Sequence, residues 1–267
     1  MTILHSRLPF APWTTPAGQR LPGIMPLDRA EWLICDEVYA EQMAERAVLL
    51  ATRGADVLAT LPEADTAALE LLDEVFRDLP ALGFEISGDH IQRPDGKAVT
   101  LDKTRPLWTI GHLLQADFCL LQKPEGAAEH VLTGSVLCFP SSWTLSEKLG
   151  KPLMRIHVPV DSYDAQMGAR VQRMFDAMRP EQPLWRANVL RYTNPALYQP
   201  QPEFAPKEKR DGGAYIRSER QCLLKLPKTG AVVFSIHTAQ VSRDSLTNEQ
   251  RIALERIEAS AQALVRE

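Results

Sequence analysis

The sequence lacks most of the local signatures that announce a chemistry. Its four cysteines, Cys35, Cys119, Cys138 and Cys222, stand far apart and form no CxxC pair. No zinc or iron–sulfur site is therefore built from local spacing. Each sits among apolar neighbours, the setting of a buried free thiol in a reducing compartment. There is no HExxH, GxSxG or P-loop, so zinc-protease, serine-hydrolase and nucleoside-triphosphate readings have no local support. The absence of GxGxxG removes the usual dinucleotide fingerprint. No apolar run approaches the roughly twenty residues of a membrane span. The first residues, MTILHSRLPFAPW, show no charged segment followed by an apolar stretch and a cleavage site. The expectation is a soluble, cytoplasmic protein with no membrane partner. Positive charge is not in excess either. A net charge of -4 biases against nucleic acid or anionic lipid as a partner.

What is present is ordinary globular material. With 267 residues, 45% hydrophobic and 24% charged, the chain can bury a sizeable core. Prolines at 9, 12, 16, 22 and 26 remove amide donors and block helix, so residues 1–27 read as an extended arm. Leu8, Phe10, Trp13, Leu21 and Ile24 suggest that this arm packs onto the rest, residues 28–267, expected as one domain. Asp28 is positioned to cap a helix running to Arg53 and ended by Gly54. Leu69, Leu72, Val75 and Phe76 predict a second helix over Thr66 to Leu79, stopped by Pro80. Phe84 to Gly96 reads as a strand and a turn. Leu107 to Leu121 reads as helix first and strand later, and residues 123–130 as a polar loop.

The stretch Thr133 to Val160 organises the chain. Val136 to Phe139 is strand-like and closed by Pro140; Ser141 or Ser142 can cap a short helix that carries Glu147 and ends at Gly150. Met154 to Val158 then reads as an extended run holding His157. Asp161 to Met178 follows as an amphipathic helix, and Asn194 to Gly213 as a proline-rich loop long enough to be functional. Tyr215 to Leu226 and Val232 to Val241 predict a hairpin about Pro227-Gly230, and Thr247 caps a final helix. Helices first, then mixed strands joined by hairpins and short helices, argue an α+β fold.

Candidate chemistry lies at two places. Of six histidines, His5 and His130 read as solvated, His90 precedes a turn, and His112 reads as a hydrogen-bonded core residue. Spacing leaves His157 open between a structural histidine and a metal ligand, because a ligand needs an acceptor to hold its other ring nitrogen. The second place is the charged segment Ile216 to Gln221. It reads as an edge protected by charge, or as a pocket wall where arginines grip a carboxylate. Alternation puts Arg217 and Glu219 on one side of the strand and Arg220 on the other.

Several separated blocks carry a resemblance. Pro140-Ser141-Ser142-Trp143, Glu147-Lys148-Leu149-Gly150, Ile156-His157-Val158-Pro159-Val160 and Arg217 to Leu223 are followed by Leu226 to Phe234, and Gln115-Ala116-Asp117-Phe118 precedes them. In this order, over about residues 20 to 245, the chain resembles the haem-dependent oxidative N-demethylase family. The resemblance implies a PAS-like curved antiparallel sheet with flanking helices around haem b. It implies oxidative removal of a methyl group from a small secondary amine, giving formaldehyde and a primary amine, with O2 as oxidant. Electrons would come from NADPH through FMN and iron–sulfur centres on a separate reductase, which agrees with the missing dinucleotide and cysteine motifs here. His157 is the histidine inside a family block and so the expected axial ligand. Arg155, Arg217 and Arg220 are candidates for the propionates, Glu219 for an ammonium or a proton relay, and Trp143 and Phe234 for core or haem-stacking positions. Two departures, Val189 in Arg186-Ala187-Asn188-Val189 and His237 in place of arginine, are expected to alter the pocket and with it the amine. Two other classes fit the same resemblance: a PAS-like haem sensor or carrier, and a divergent member that has lost haem.

Overall fold

The computed structural model describes residues 2–15, 23–160, 163–205 and 213–264. Its helices are α1 (Tyr39–Thr52), α2 (Gly54–Val57), α3 (Asp65–Asp78), α4 (Pro106–Leu113), α5 (Leu145–Lys148), α6 (Leu153–Ile156), α7 (Ala165–Ala177) and α8 (Asn248–Leu264). The long strands are β6 (Asp117–Gln122), β7 (Val131–Val136), β8 (Leu184–Tyr192), β9 (Tyr215–Lys225) and β10 (Val232–Ser242). With β1 (Met25–Pro26) and β2 (Leu58–Thr60) they form one antiparallel sheet, ordered β1-β8-β9-β10-β6-β7-β2. A second antiparallel sheet, β3 (Glu85–Ser87), β4 (His90–Gln92) and β5 (Ala98–Thr100), stands where one strand and a turn were expected. The fold is α+β, as the sequence pattern argues.

Period-two alternation splits each long strand between two faces. Phe118, Leu120, Leu224 and Val233 point to a core shared with Met43 of α1, Leu71 of α3 and Ile110 of α4. Cys119, Leu121, Leu223 and Val232 face the other way, toward Leu145, Leu153 and Phe175 of α5, α6 and α7. Each such large side chain, fully buried, contributes about 1.5–3 kcal/mol. The sheet is thus sandwiched, and its second face is covered by the short α5 and α6, the longer α7 and loop segments that include Phe139 and Leu197. From the proline-rich arm, Leu8 and Trp13 pack with Ile216, Val241 and Leu254, and the Trp13 indole donates to the Gln250 carbonyl at 3.0 Å. Residues 16–22 of that stretch, with Pro16, Leu21 and Pro22, lie outside the described residues, as do 206–212 of the expected loop.

Several local expectations are corrected. Asp28 caps only a single 3-10 turn, Arg29–Glu31; α1 begins at Tyr39 and is capped at its end by Arg53, not Gly54. The intervening segment is diverted because Asp36 is held by side chains from three other places (below). The apolar run from Val136 is not a strand. β7 ends at Val136; the Leu137 amide donates to the Val57 carbonyl at 2.7 Å, and those of Cys138 and Phe139 donate to the Asp117 carboxylate at 2.7 and 2.8 Å. Neither Ser141 nor Ser142 caps α5, whose N-cap position is Thr144; Ser141 instead bonds the Tyr192 hydroxyl at 2.5 Å. Gly150 does follow α5 in the left-handed region (φ 73°), where a side chain would be strained. Met154 to Val158 is not extended: residues 153–156 are the single-turn α6, with His157 at its C-cap.

Candidate functional site

A cavity of about 420 Å³ lies between the second face of the sheet and α5 to α7, within the usual range of roughly 300–1,000 Å³ for small-molecule sites. Alternation selects its sheet wall. Cys119 and Leu121 come from β6, Arg186, Asn188 and Leu190 from β8, Glu219, Gln221 and Leu223 from β9, and Phe234 and Ile236 from β10. The helical wall includes Lys148, Leu153, Ile156, Phe175 and, at the end of α6, His157; Tyr163, just before α7, and Trp143 also line the space.

His157 enters from the end of α6. Its backbone amide and its ring Nδ1 both reach the Leu153 carbonyl, at 3.1 and 2.8 Å. A carbonyl only accepts, so Nδ1 carries the hydrogen and the Nε2 electron pair of the neutral ring is left for another partner. Burial foremost, with the charges of Lys148 and Arg186 behind it, pushes the His157 pKa below its ordinary value. The ring stacks on Tyr163 at 4.0 Å and 15°. This is the acceptor that sequence alone does not show, and it comes from the residue four positions earlier because α6 is a helical turn.

The charged groups of β9 are placed unequally. Arg217 is fully buried, donating to the carbonyls of Phe139 and of Leu197 (3.0 Å), and to the Thr238 hydroxyl at 3.3 Å. It pairs with Glu219 at 3.0 Å. The other Glu219 oxygen accepts from Asn188 at 2.8 Å and Gln221 at 3.2 Å. Arg217 therefore compensates the cavity's carboxylate and does not itself line the cavity. Arg220 lies on the opposite face, its guanidinium 5.2 Å from the Trp185 ring centroid. Arg155 turns outward to Glu203 at 2.8 Å. Lys148 also pairs with Glu203 and donates to the Ile156 carbonyl at 2.8 Å. The structure thus brings His157 and Glu219 to the cavity and leaves Arg155 and Arg220 away from it.

Arg186 was missed by the reading of β9, although the segment Arg186-Ala187-Asn188 offers a strand alternation that puts Arg and Asn on one side. Arg186 Nε is buried without a partner, as is the Tyr163 hydroxyl; burial pushes the Tyr163 pKa up to about 12. The two family departures are corrected as pocket determinants. Val189 packs on the cluster beneath the arm, and His237 bonds Asp36 at 2.8 Å on the other face. Neither lines the cavity.

Among the described residues no cluster of three or more His, Cys, Asp or Glu side chains is arranged to hold a bare metal ion. A histidine imidazole is one of the protein ligands that haem iron takes, and the lining of the cleft includes His157. The chain belongs to the haem-dependent oxidative N-demethylase, alpha subunit-like family, whose model matches residues 23–263. The residues present fit a haem: a ring nitrogen with a fixed tautomer, apolar walls, and orphaned polar atoms on Arg186 and Tyr163. No helix among the described residues is long and apolar enough to cross a membrane.

Proposed function

We propose that this chain is the haem b subunit of an oxidative N-demethylase on a PAS-like scaffold, with His157 as the axial ligand. Its substrates are O2 and a small amine carrying an N-methyl group, and its electrons come from a separate NADPH-dependent reductase with flavin and iron–sulfur centres. The observation that carries this reading is the His157 imidazole, held through Nδ1 by the Leu153 carbonyl at 2.8 Å with Nε2 left for iron. Bound haem supplies oxygen activation. The protein's own residues orient and insulate. The Leu153 carbonyl fixes the ligand's tautomer, and Leu223, Phe234 and Phe175 exclude water from the cavity. Glu219, ion-paired with Arg217, aligns the Asn188 and Gln221 amides; Asn188 is closed on Glu219 by its amide and its carbonyl oxygen, and the Gln221 Oε1 can accept from an amine nitrogen. Tyr163 keeps its proton through the neutral range and is available as a donor to a polar group in the cavity.

An absorption spectrum of protein expressed with ample haem tests this. A Soret band is expected in the parent, lost or shifted in His157→Ala and restored by added imidazole. An unchanged band in that variant removes His157 from the iron. Substrate-dependent NADPH consumption with a reductase separates an enzyme from a haem sensor or carrier.

A further inference from the structure

Counting the charges of the cavity shows one that is left over. Lys148 is matched by Glu203, and Glu219 by Arg217. His157 is neutral. Arg186, half-buried in the β8 wall, forms no ion pair or side-chain hydrogen bond with any described residue, and its Nε is an orphan. Glu219 acts on it only through space. Removing a guanidinium from water without a partner is costly; Arg46 and Arg217 also carry one orphaned nitrogen each, but both have an ion pair, which Arg186 lacks among the described residues. Among the described residues the cavity offers no unpaired carboxylate to a cationic ligand.

We propose that Arg186 is the carboxylate-binding residue of this cavity, and that the ligand filling the space presents a carboxylate to it. A guanidinium matches a carboxylate with two parallel hydrogen bonds, and Nε, the orphaned atom, is one of the five donors of that fork. Two sources carry this chemistry: a propionate of the porphyrin, or the acid group of an N-methylated amino acid substrate. The inference rests on the reading of the cavity as the haem and substrate site and deepens it.

The test uses the full chain with Arg186→Gln, which removes the charge, and Arg186→Lys, which keeps it without the fork. Ferric protoporphyrin IX and its dimethyl ester, with both carboxylates blocked, are titrated into parent and variants. If a propionate is the occupant, the parent prefers the free acid by about tenfold or more. Arg186→Gln then loses that preference and Arg186→Lys keeps part of it. If a substrate carboxylate is the occupant, acid and ester bind alike in all three. In that case N-methylglycine, and not dimethylamine, shifts the spectrum of the haem-loaded parent, and Arg186→Gln abolishes the shift. A parent that takes up neither porphyrin removes the haem reading. The inference then still stands if N-methylglycine raises the thermal midpoint of the parent and not of Arg186→Gln, and falls if it raises neither. Acid and ester bound alike, with N-methylglycine inert, overturns it. Without ligand, Arg186→Gln should unfold at the parent's temperature or above, because no partner is left behind. A marked drop would make Arg186 a framework residue and overturn the assignment as well.

Discussion

Arg217 and Arg186 sit on neighbouring strands and differ in one respect that decides their roles. Arg217 has partners on several sides, an ion pair with Glu219 and donations to two carbonyls and a hydroxyl, while Arg186 has none among the described residues. Removing one member of a buried pair leaves the other charge uncompensated, which costs about 3–5 kcal/mol. Arg217→Met is therefore expected to destabilise the fold by that order in denaturant unfolding. Arg217→Met with Glu219→Gln should lose less than the sum of the single changes, because the uncompensated charge goes with its partner. Strict additivity would mean that Glu219 finds other compensation. The segment Ile216 to Gln221 read from sequence as either a charged edge or a pocket wall. It is neither alone, since β9 lies between β8 and β10 and buries both faces. The alternation was legible, but which arginine meets a partner depends on loops and strands far along the chain.

At the scale of elements, the long periodic pieces were readable and the short ones were not. The hairpin β9–β10 shows period two over eleven residues in each strand, and α3 shows apolar residues three and four apart. Its Glu70 accepts the amides of Lys228 and Thr229 at 2.7 and 2.8 Å, fastening that hairpin's turn to the helix layer. By contrast α6 has four residues, too few to display a 3.6 period, and Met-Arg-Ile-His-Val happens to alternate. Its helical state is selected by tertiary contacts: the Leu153 amide donates to the His130 carbonyl at 3.1 Å, and Met154 lies over α7. Gly168 makes that approach possible, because a Cβ there would fall 2.1 Å from the Met154 sulfur. Gly168→Ala should cost about 1–3 kcal/mol of stability and weaken haem uptake, since Met154 stands three residues before His157. Combining it with Met154→Ala makes room for the added methyl and should recover the uptake. If Gly168→Ala binds haem as tightly as the parent, α6 is not set by its contact with α7.

The whole molecule is closed around a node that no single stretch of sequence reveals. Asp36 accepts from His5 at 2.7 Å and from His237 at 2.8 Å through the same oxygen, and from Gln115 at 2.7 Å through the other. Gln115 in turn donates to Gln42 at 2.9 Å, and Gln42 to the Thr238 carbonyl at 3.0 Å. One carboxylate thereby ties the N-terminal stretch, the approach to α1, the α4–β6 junction and β10 together. His5, expected to be solvated in an arm, is 4% exposed for this reason, and His130 is likewise buried against Gln172 and Phe175. Burial raises the Asp36 carboxyl, but the hydrogen bonds from His237 and His5, with their charge, outweigh it and hold the group well below the ordinary carboxylate range. The neighbouring Cys35 thiol, pushed up to about 12 chiefly by burial and further by Asp36, stays neutral and does not compete. A group depressed in the folded state contributes stability above its unfolded value and loses it as pH falls through that value toward the folded one. The Asp36 contribution should therefore be complete at neutral pH and fade below about pH 4, the ordinary aspartate value. Asp36→Asn keeps one acceptor and removes the charge, so it should lower stability at pH 7 by about 1–2 kcal/mol and flatten the acid side of the stability profile. Thermal or urea unfolding of both proteins from pH 7 to pH 3 reads the difference. If the two profiles run parallel down to pH 3, the closure at Asp36 does not depend on its charge.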